Sequence, residues 1–268
     1  MTSIVITGAT SGIGRALALE YARPGVHLTL MGRNPERMGS VLAAVKERGA
    51  EASGVLVDVQ DRDLLVQAID AIDEQRPIDL AIANAGITSG VGGGRDFESA
   101  DAVRAVLNIN LLGVINTLDP LVQRMVARRR GHIAIIGSLA ALRGLPYSPA
   151  YSAAKAAIHA YGEGLRPTLR RHGVTLSIVA PGFVKTPLNA EIKAPRPFEI
   201  SSETAARLIR RGLDRKRAQV VFPRSLYLGL RLLGLLPARL GDALLGRQDV
   251  IVPETQEKSR DPMVSGGK

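Results

Sequence analysis

Tyr151 and Lys155 stand four residues apart in "YSAAK", within an alanine-rich run that reads as a helix. Four residues make about one helical turn, so both side chains leave the same face. Neither group alone suits acid/base work at neutral pH, because a free phenol titrates near ~10 and a free ammonium slightly higher. A cation beside the phenol favours the phenolate, so the spacing predicts a lowered tyrosine pKa and a group able to exchange a proton with an alcohol or carbonyl oxygen. Ser138, in "IIGSLA", falls where a short apolar strand ends and could donate a hydrogen bond to such an oxygen as negative charge develops on it. Asn110, in "NINLLG", adds a neutral amide. Taken singly, each has an ordinary explanation: a surface pair on a helix, a capping serine, an asparagine bridging backbone groups.

The second group of chemically informative residues is "TGATSGIG" over 7–14, which joins an apolar strand to a helix. Gly8, Gly12 and Gly14, with Thr10, Ser11 and Ile13 in the same turn, let the backbone approach a pyrophosphate that would sit at the positive end of the helix. The spacing is G-x-x-x-G-x-G. After the second strand, "LTLMGRNPER" offers Gly32, Arg33 and Asn34 with no acid at the strand's end. An acid there accepts hydrogen bonds from ribose hydroxyls, whereas an arginine suits a 2′-phosphate, so Arg33, with Arg15 adding positive charge, predicts NADP(H) rather than NAD(H), and Asn34 is a further cofactor contact.

The elements that must position these groups are legible in the hydrophobic pattern. Short apolar runs ("SIVIT", "HLTLMG", "GVLVDV", "DLAIANAG", "HIAIIGS", "TLSIVAPG", "QVVFP") alternate with amphipathic segments of ten residues or more. Strands without polar alternation, separated by helices, predict an α/β fold with a doubly wound parallel sheet of Rossmann type. The pattern divides the chain into one catalytic and dinucleotide-binding domain over 1–223, a short helical C-terminal extension over 224–247, and a flexible tail over 248–268. Pro167 is expected to bend or end the helix that begins near Tyr151.

Composition excludes several classes. The 268 residues include no cysteine, which rules out disulfides and thiolate chemistry, and the four histidines are scattered without metal-ligand spacing, so no metal is expected. No uninterrupted apolar stretch reaches the about 20 residues of a membrane span, and the start lacks the pattern of a secretion signal. A cytoplasmic protein is the expectation. The net charge of +10 comes mainly from arginine clusters, yet aromatics are only 3% and do not interleave with basic residues, which argues against nucleic acid. In 224–247, leucines recur at helical spacing among Arg224, Arg231, Arg239 and Arg247, with Pro237 dividing two short helices. Such a segment either packs on protein or makes peripheral contact with a membrane, at its inner face for a cytoplasmic protein.

The glycine motif, "NAG" at 84–86, Asn110, Ser138, "YSAAK" and "PGFVKT" at 181–186 occur in an order and spacing that resemble the short-chain dehydrogenase/reductase family, over roughly residues 3 to 222. The resemblance implies a nicotinamide-dependent oxidoreductase acting on a small carbonyl/alcohol substrate, with Tyr151 as general acid/base and Asn110, Ser138 and Lys155 as its catalytic partners. It further implies that Tyr151 and Lys155 contact the nicotinamide ribose and that Asn110 holds a water in a proton relay. Cofactor contacts would also come from Asp58 and Val59 near the adenine, from Asn84, Ala85 and Gly86, and from Pro181, Gly182, Val184 and Thr186. The glycine-rich 90–97 and the proline-rich 187–200 would border the substrate, the latter as a lid, and the assembly would be a homodimer or homotetramer. A non-catalytic dinucleotide-binding protein on the same fold is the alternative, against which the intact set of catalytic residues stands.

Overall fold

The computed structural model describes residues 1–91, 96–190, 192–245 and 250–252. Each apolar run becomes a strand: β1 (Thr2–Thr7), β2 (Val26–Gly32), β3 (Glu51–Leu56), β4 (Leu80–Ala83), β5 (Gly131–Ile136), β6 (Val174–Pro181) and, after the two-residue strands β7 (Val184–Lys185) and β8 (Ile200–Ser201), β9 (Gln219–Phe222). Seven form one parallel sheet in the order β3-β2-β1-β4-β5-β6-β9, and β7 pairs with β8 apart from it. Polar alternation is missing because both faces are covered. Ile4 and Ile6 enter one core with Leu17 of α1 (Gly12–Tyr21), Val41 of α2 (Pro35–Lys46) and Ile209 of α7 (Ser202–Asp214). Val5, between them, enters the other, with Leu65 of α3 (Arg62–Gln75), Leu118 of α5 (Gly113–Ala127) and Ile158 of α6 (Pro149–Arg171). At the sheet's edge, β3 is mostly exposed, as a strand with one neighbour can be.

Sequence-adjacent strands diverge at β1, which has β2 on one side and β4 on the other. That reversal opens a crevice beyond the carboxyl ends of the strands, where doubly wound sheets bind ligands. All the residues singled out above for chemistry lie in the segments that follow these strand ends or on the helices behind them.

Residues 100–127 form one continuous helix: α4 (Ala100–Leu107), a π-helical turn over Asn108–Leu112, then α5. By length and composition it could cross a membrane, but Val106, Val114, Leu118, Leu121 and Met125 are buried inside the protein. Helix α6 does not end at Pro167 but continues to Arg171, because the buried Leu169 anchors the last turn despite the missing N–H. In the extension, α8 (Arg224–Leu233) and α9 (Ala238–Leu245) flank Pro237, as the pattern predicted. Of the segment read as a tail, residues 250–252 are tied down: Ile251 bridges to Lys193, and the Val252 N–H donates to Val91 O at 3.0 Å. Residues 253–268 lie outside the described residues, as do Arg247 of the extension and 92–95 of the glycine-rich stretch.

Candidate active site

The β1–α1 turn is shaped by what its glycines leave out. Gly8 and Gly12 hold φ of 64° and 51°, where a side chain is strained, and a Cβ on Gly14 would stand 2.2 Å from Gly8 O. The turn is tied to the segment after β4 by Asn84, whose Nδ2 donates to Thr7 O at 3.0 Å and to Gly8 O at 3.2 Å. The Thr7 hydroxyl in turn accepts from the backbone N–H of Asn84 and Ala85. Thr7, absent from the residues proposed by sequence, thus joins two of them; only its place at the strand end could have signalled it. Thr10 packs on Gly32, where a Cβ would lie 2.8 Å from its methyl group.

The residues fit a dinucleotide. Ser11, the N-cap of α1, makes no side-chain cap and the first turn carries no acid, so no side chain of the helix itself offsets the positive end of its dipole. Facing Gly12 is Thr186, whose buried hydroxyl has no hydrogen-bond partner among the described residues. A cradle cleared by glycines and an orphaned donor are what a pyrophosphate and its nucleoside would use.

At the ends of β2 and β3, Arg33 meets Asp58 at 2.9 Å. Burial pushes the Asp58 carboxyl up, but the Gln60 N–H and the Arg33 guanidinium outweigh it and hold the group below its ordinary value. Asn34 caps α2, its Oδ1 accepting from Arg37 N at 2.8 Å. Val59 is buried, and its carbonyl accepts from Asn116 Nδ2 at 3.0 Å. Behind β6, Gly182 N donates to Phe222 O at 2.8 Å, while Val184 enters the core on the α1 side.

Asn110, Ser138, Tyr151 and Lys155 lie near one another in the fold. The π turn carries Asn110 inward, fully buried, where Oδ1 accepts from Ile87 N and Nδ2 donates to Ile87 O, both at 2.8 Å. A Cβ on Gly86 would lie 2.7 Å from Asn110 Oδ1, too close without a shift, and 3.7 Å from Lys155 Nζ, an ordinary contact, so glycine at the third residue of "NAG" makes room for the Asn110 amide. Lys155 donates to Ile136 O at 3.0 Å. Ser138 accepts from Ala140 N at 3.1 Å, and its hydroxyl lies beside the Tyr151 phenol.

The pKa expectation for Tyr151 needs correcting. Burial pushes the phenol above its ordinary value, and the neighbouring Ser138 hydroxyl offsets this only in part. The nearby Lys155 does not outweigh this, and burial brings its own ammonium down to about 8. Spacing along a helix gives proximity; desolvation of both groups decides the sign.

His159 is a neighbour that sequence left among the scattered histidines. It follows Lys155 by one turn on α6 and packs flush on Gly137, where a Cβ would stand 2.0 Å from its Nε2. Burial, and secondarily the charge of Lys155, lower the imidazole to about 4. Arg196 organises the segment over 187–200 by donating to the carbonyls of Asn189 and Ile192 and pairing with Glu199 at 3.0 Å.

A parallel sheet whose strand order reverses beside a glycine-cleared turn defines the dinucleotide-binding Rossmann class. The family model described as short chain dehydrogenase matches residues 2–197, and the chain belongs to the short-chain dehydrogenase/reductase family of NAD(P)-dependent oxidoreductases. It is 37% identical to an uncharacterized oxidoreductase of Myxococcus xanthus over 91% of this chain and 96% of that one. A short-chain dehydrogenase/reductase of Burkholderia phymatum, solved in complex with NAD, superposes with a TM-score of 0.78 at 25% identity over 97% of this chain and 98% of that chain. An alcohol dehydrogenase of the archaeon Thermococcus sibiricus, complexed with 5-hydroxy-NADP, superposes with a TM-score of 0.73 at 25% identity, over 83% and 96%.

Proposed function

We propose that the protein interconverts a small carbonyl compound and its alcohol with NADP(H), using Tyr151 as the proton donor in reduction and acceptor in oxidation. The observation that carries this reading is the Lys155 ammonium 5.6 Å from the centre of the Tyr151 ring, with the Ser138 hydroxyl beside the same phenol. The dinucleotide, when bound, supplies or takes the hydride. Ala140 N uses one lone pair of Ser138 Oγ, and the serine proton can turn from the phenol to a substrate oxygen as its charge grows. Tyr151 then passes its proton to that oxygen, a transfer assisted by the neighbouring ammonium of Lys155. Asn110, bonded twice to Ile87, fixes the backbone around Gly86 and so supports the relay through position. Asn84 likewise holds the glycine turn in shape.

The preference for NADP(H) rests on Arg33. Its side chain is 54% exposed at the end of β2, and its pair with Asp58 is of the surface kind, worth less than about 1 kcal/mol and readily exchanged for a phosphate. The assembly is read as a homodimer or homotetramer in the cytoplasm, to be tested by light scattering and cell fractionation. The decisive experiment follows NADPH and NADH consumption across sterols, acyl ketones, keto-sugars and quinones with the wild type and Tyr151→Phe. A carbonyl consumed by the wild type at a rate the variant matches would overturn the assignment of Tyr151.

A further inference from the structure

Helices α8 and α9 carry leucines on two sides. Leu226, Leu230 and Leu233 are half-buried against the body, whereas Leu228, Leu232, Leu240 and Leu244 are exposed, as is Leu235 between the helices, from 56% at Leu240 to 81% at Leu235. Leu228 and Leu232 are one turn apart on α8, and so are Leu240 and Leu244 on α9, so each helix shows an outward apolar row where a soluble surface helix would place polar residues.

The charges bordering these rows are of one sign. Arg224, Arg231 and Arg239 are exposed. Asp242, the one acid in 224–245, is committed to Arg143 at 2.8 Å. That ion pair, with the buried Gly241 beneath the same guanidinium, holds α9 to the turn that follows Ser138. Between α9 and the start of α6 lies an apolar cleft of about 600 Å³, bordered by Leu145, Pro146, Pro149, Ala153 and Leu245.

We propose that α8 and α9 form a docking surface for an anionic lipid bilayer. The leucine rows enter the boundary between head groups and acyl chains, the arginines meet lipid phosphates, and the cleft beside α9 offers an apolar chain a path off the bilayer. Charge decides between this occupant and a second copy of the chain. A symmetric contact would bring two sets of unneutralised arginines together with no free acid from the segment to meet them, whereas an anionic surface neutralises them. The docking depends neither on the cofactor preference nor on the role of Tyr151.

The test uses the full chain and vesicles of phosphatidylcholine alone or with about one-third phosphatidylglycerol. The protein should sediment with the anionic vesicles at low salt, stay free of the neutral ones, and be released as salt shortens the screening length. Leu232→Glu with Leu240→Glu, at exposed positions, should keep the circular dichroism and melting of the wild type yet lower the bound fraction at least tenfold; Arg224→Glu with Arg239→Glu should do the same. Both variants should consume NADPH with a water-soluble carbonyl as the wild type does, so a failed docking test leaves the enzyme reading untouched. Absence of vesicle binding by the intact chain, equal binding to neutral vesicles, or binding that survives the leucine substitutions would overturn the proposal. A leucine variant that splits an oligomer on light scattering, with no vesicle binding by the wild type, would assign the face to a second copy instead.

Discussion

The Lys155 ammonium lies 5.6 Å from the centre of the Tyr151 ring and donates to the carbonyl of Ile136 at 3.0 Å. The cation is therefore anchored on the strand that leads into Ser138, which fixes its distance from the phenol. Tyr151→Phe keeps the ring and this anchor but removes the transferable proton. It should lower kcat by at least about 100-fold while cofactor binding, followed by NADPH fluorescence, changes less than about threefold. Retention of more than about a tenth of the wild-type kcat would sink the role given to the phenol.

Gly86→Ala adds one methyl group at a place already filled by Asn110 Oδ1. Because that amide is bonded twice to Ile87, the pair must separate or the backbone after β4 must shift. The expected outcome is a loss of kcat of about tenfold or more, with a melting temperature lowered by several degrees, as a cost of about 1–2 kcal/mol would give in a domain of this size. A variant with wild-type kinetics would show that Asn110 does not need its present position.

Arg33→Ala should raise KM for NADP(H) at least about tenfold and leave KM for NAD(H) nearly unchanged, since a charge-assisted bond to a 2′-phosphate is lost only for the first. Asp58→Asn, which frees the guanidinium, should not weaken NADP(H) binding through this site. A wild-type enzyme that favours NAD(H) would refute the assignment.

Acid should destabilise the fold in part through His132. Its Nε2 lies 2.8 Å from Ser177 Oγ, whose own proton goes to Arg217 O, so Nε2 carries a hydrogen and donates it to the serine. Burial, and less so Lys216, lower its pKa from 6.5 to about 4. Between those values the unfolded chain binds the extra proton, so stability falls as pH drops from 6.5 through 4, by on the order of 2 kcal/mol between about pH 7 and pH 5. Urea titrations of wild type and His132→Asn should show a smaller acid loss in the variant; equal slopes would exclude His132 as a source.

Val252 is buried against Gly90, and its N–H is bonded to Val91, while Ile251 beside it bridges to Lys193. The strap thereby ties together the segments after β4 and β7. Val252→Asp should free both, raising KM for the carbonyl substrate several-fold with KM for the dinucleotide little changed. Equal effects on the two constants would mean a general loss of fold instead.

The residues themselves determined the strands and helices, because local apolar periodicity and the need to bury both sheet faces leave little choice. They also determined the glycine turn, which only residues without a Cβ can make, and the order of motifs that indicates the family. Electrostatics was decided elsewhere. The four-residue spacing of Tyr151 and Lys155 predicted a lowered phenol, and the fold reversed the sign by removing both groups from water. Arg33 was legible as a charge at a strand end, but its pairing with Asp58, 25 residues on, appears only once β2 and β3 lie side by side. Pro167 announced a break that packing around Leu169 overrode. Ile251 and Val252 carried no periodic signal at all, and the contacts that hold them come from segments about 60 and 160 residues earlier. A hydrophobic pattern records which side of an element faces inward. The dielectric around a charge, and the partner that distant chain brings to it, exist only after the sheet has closed.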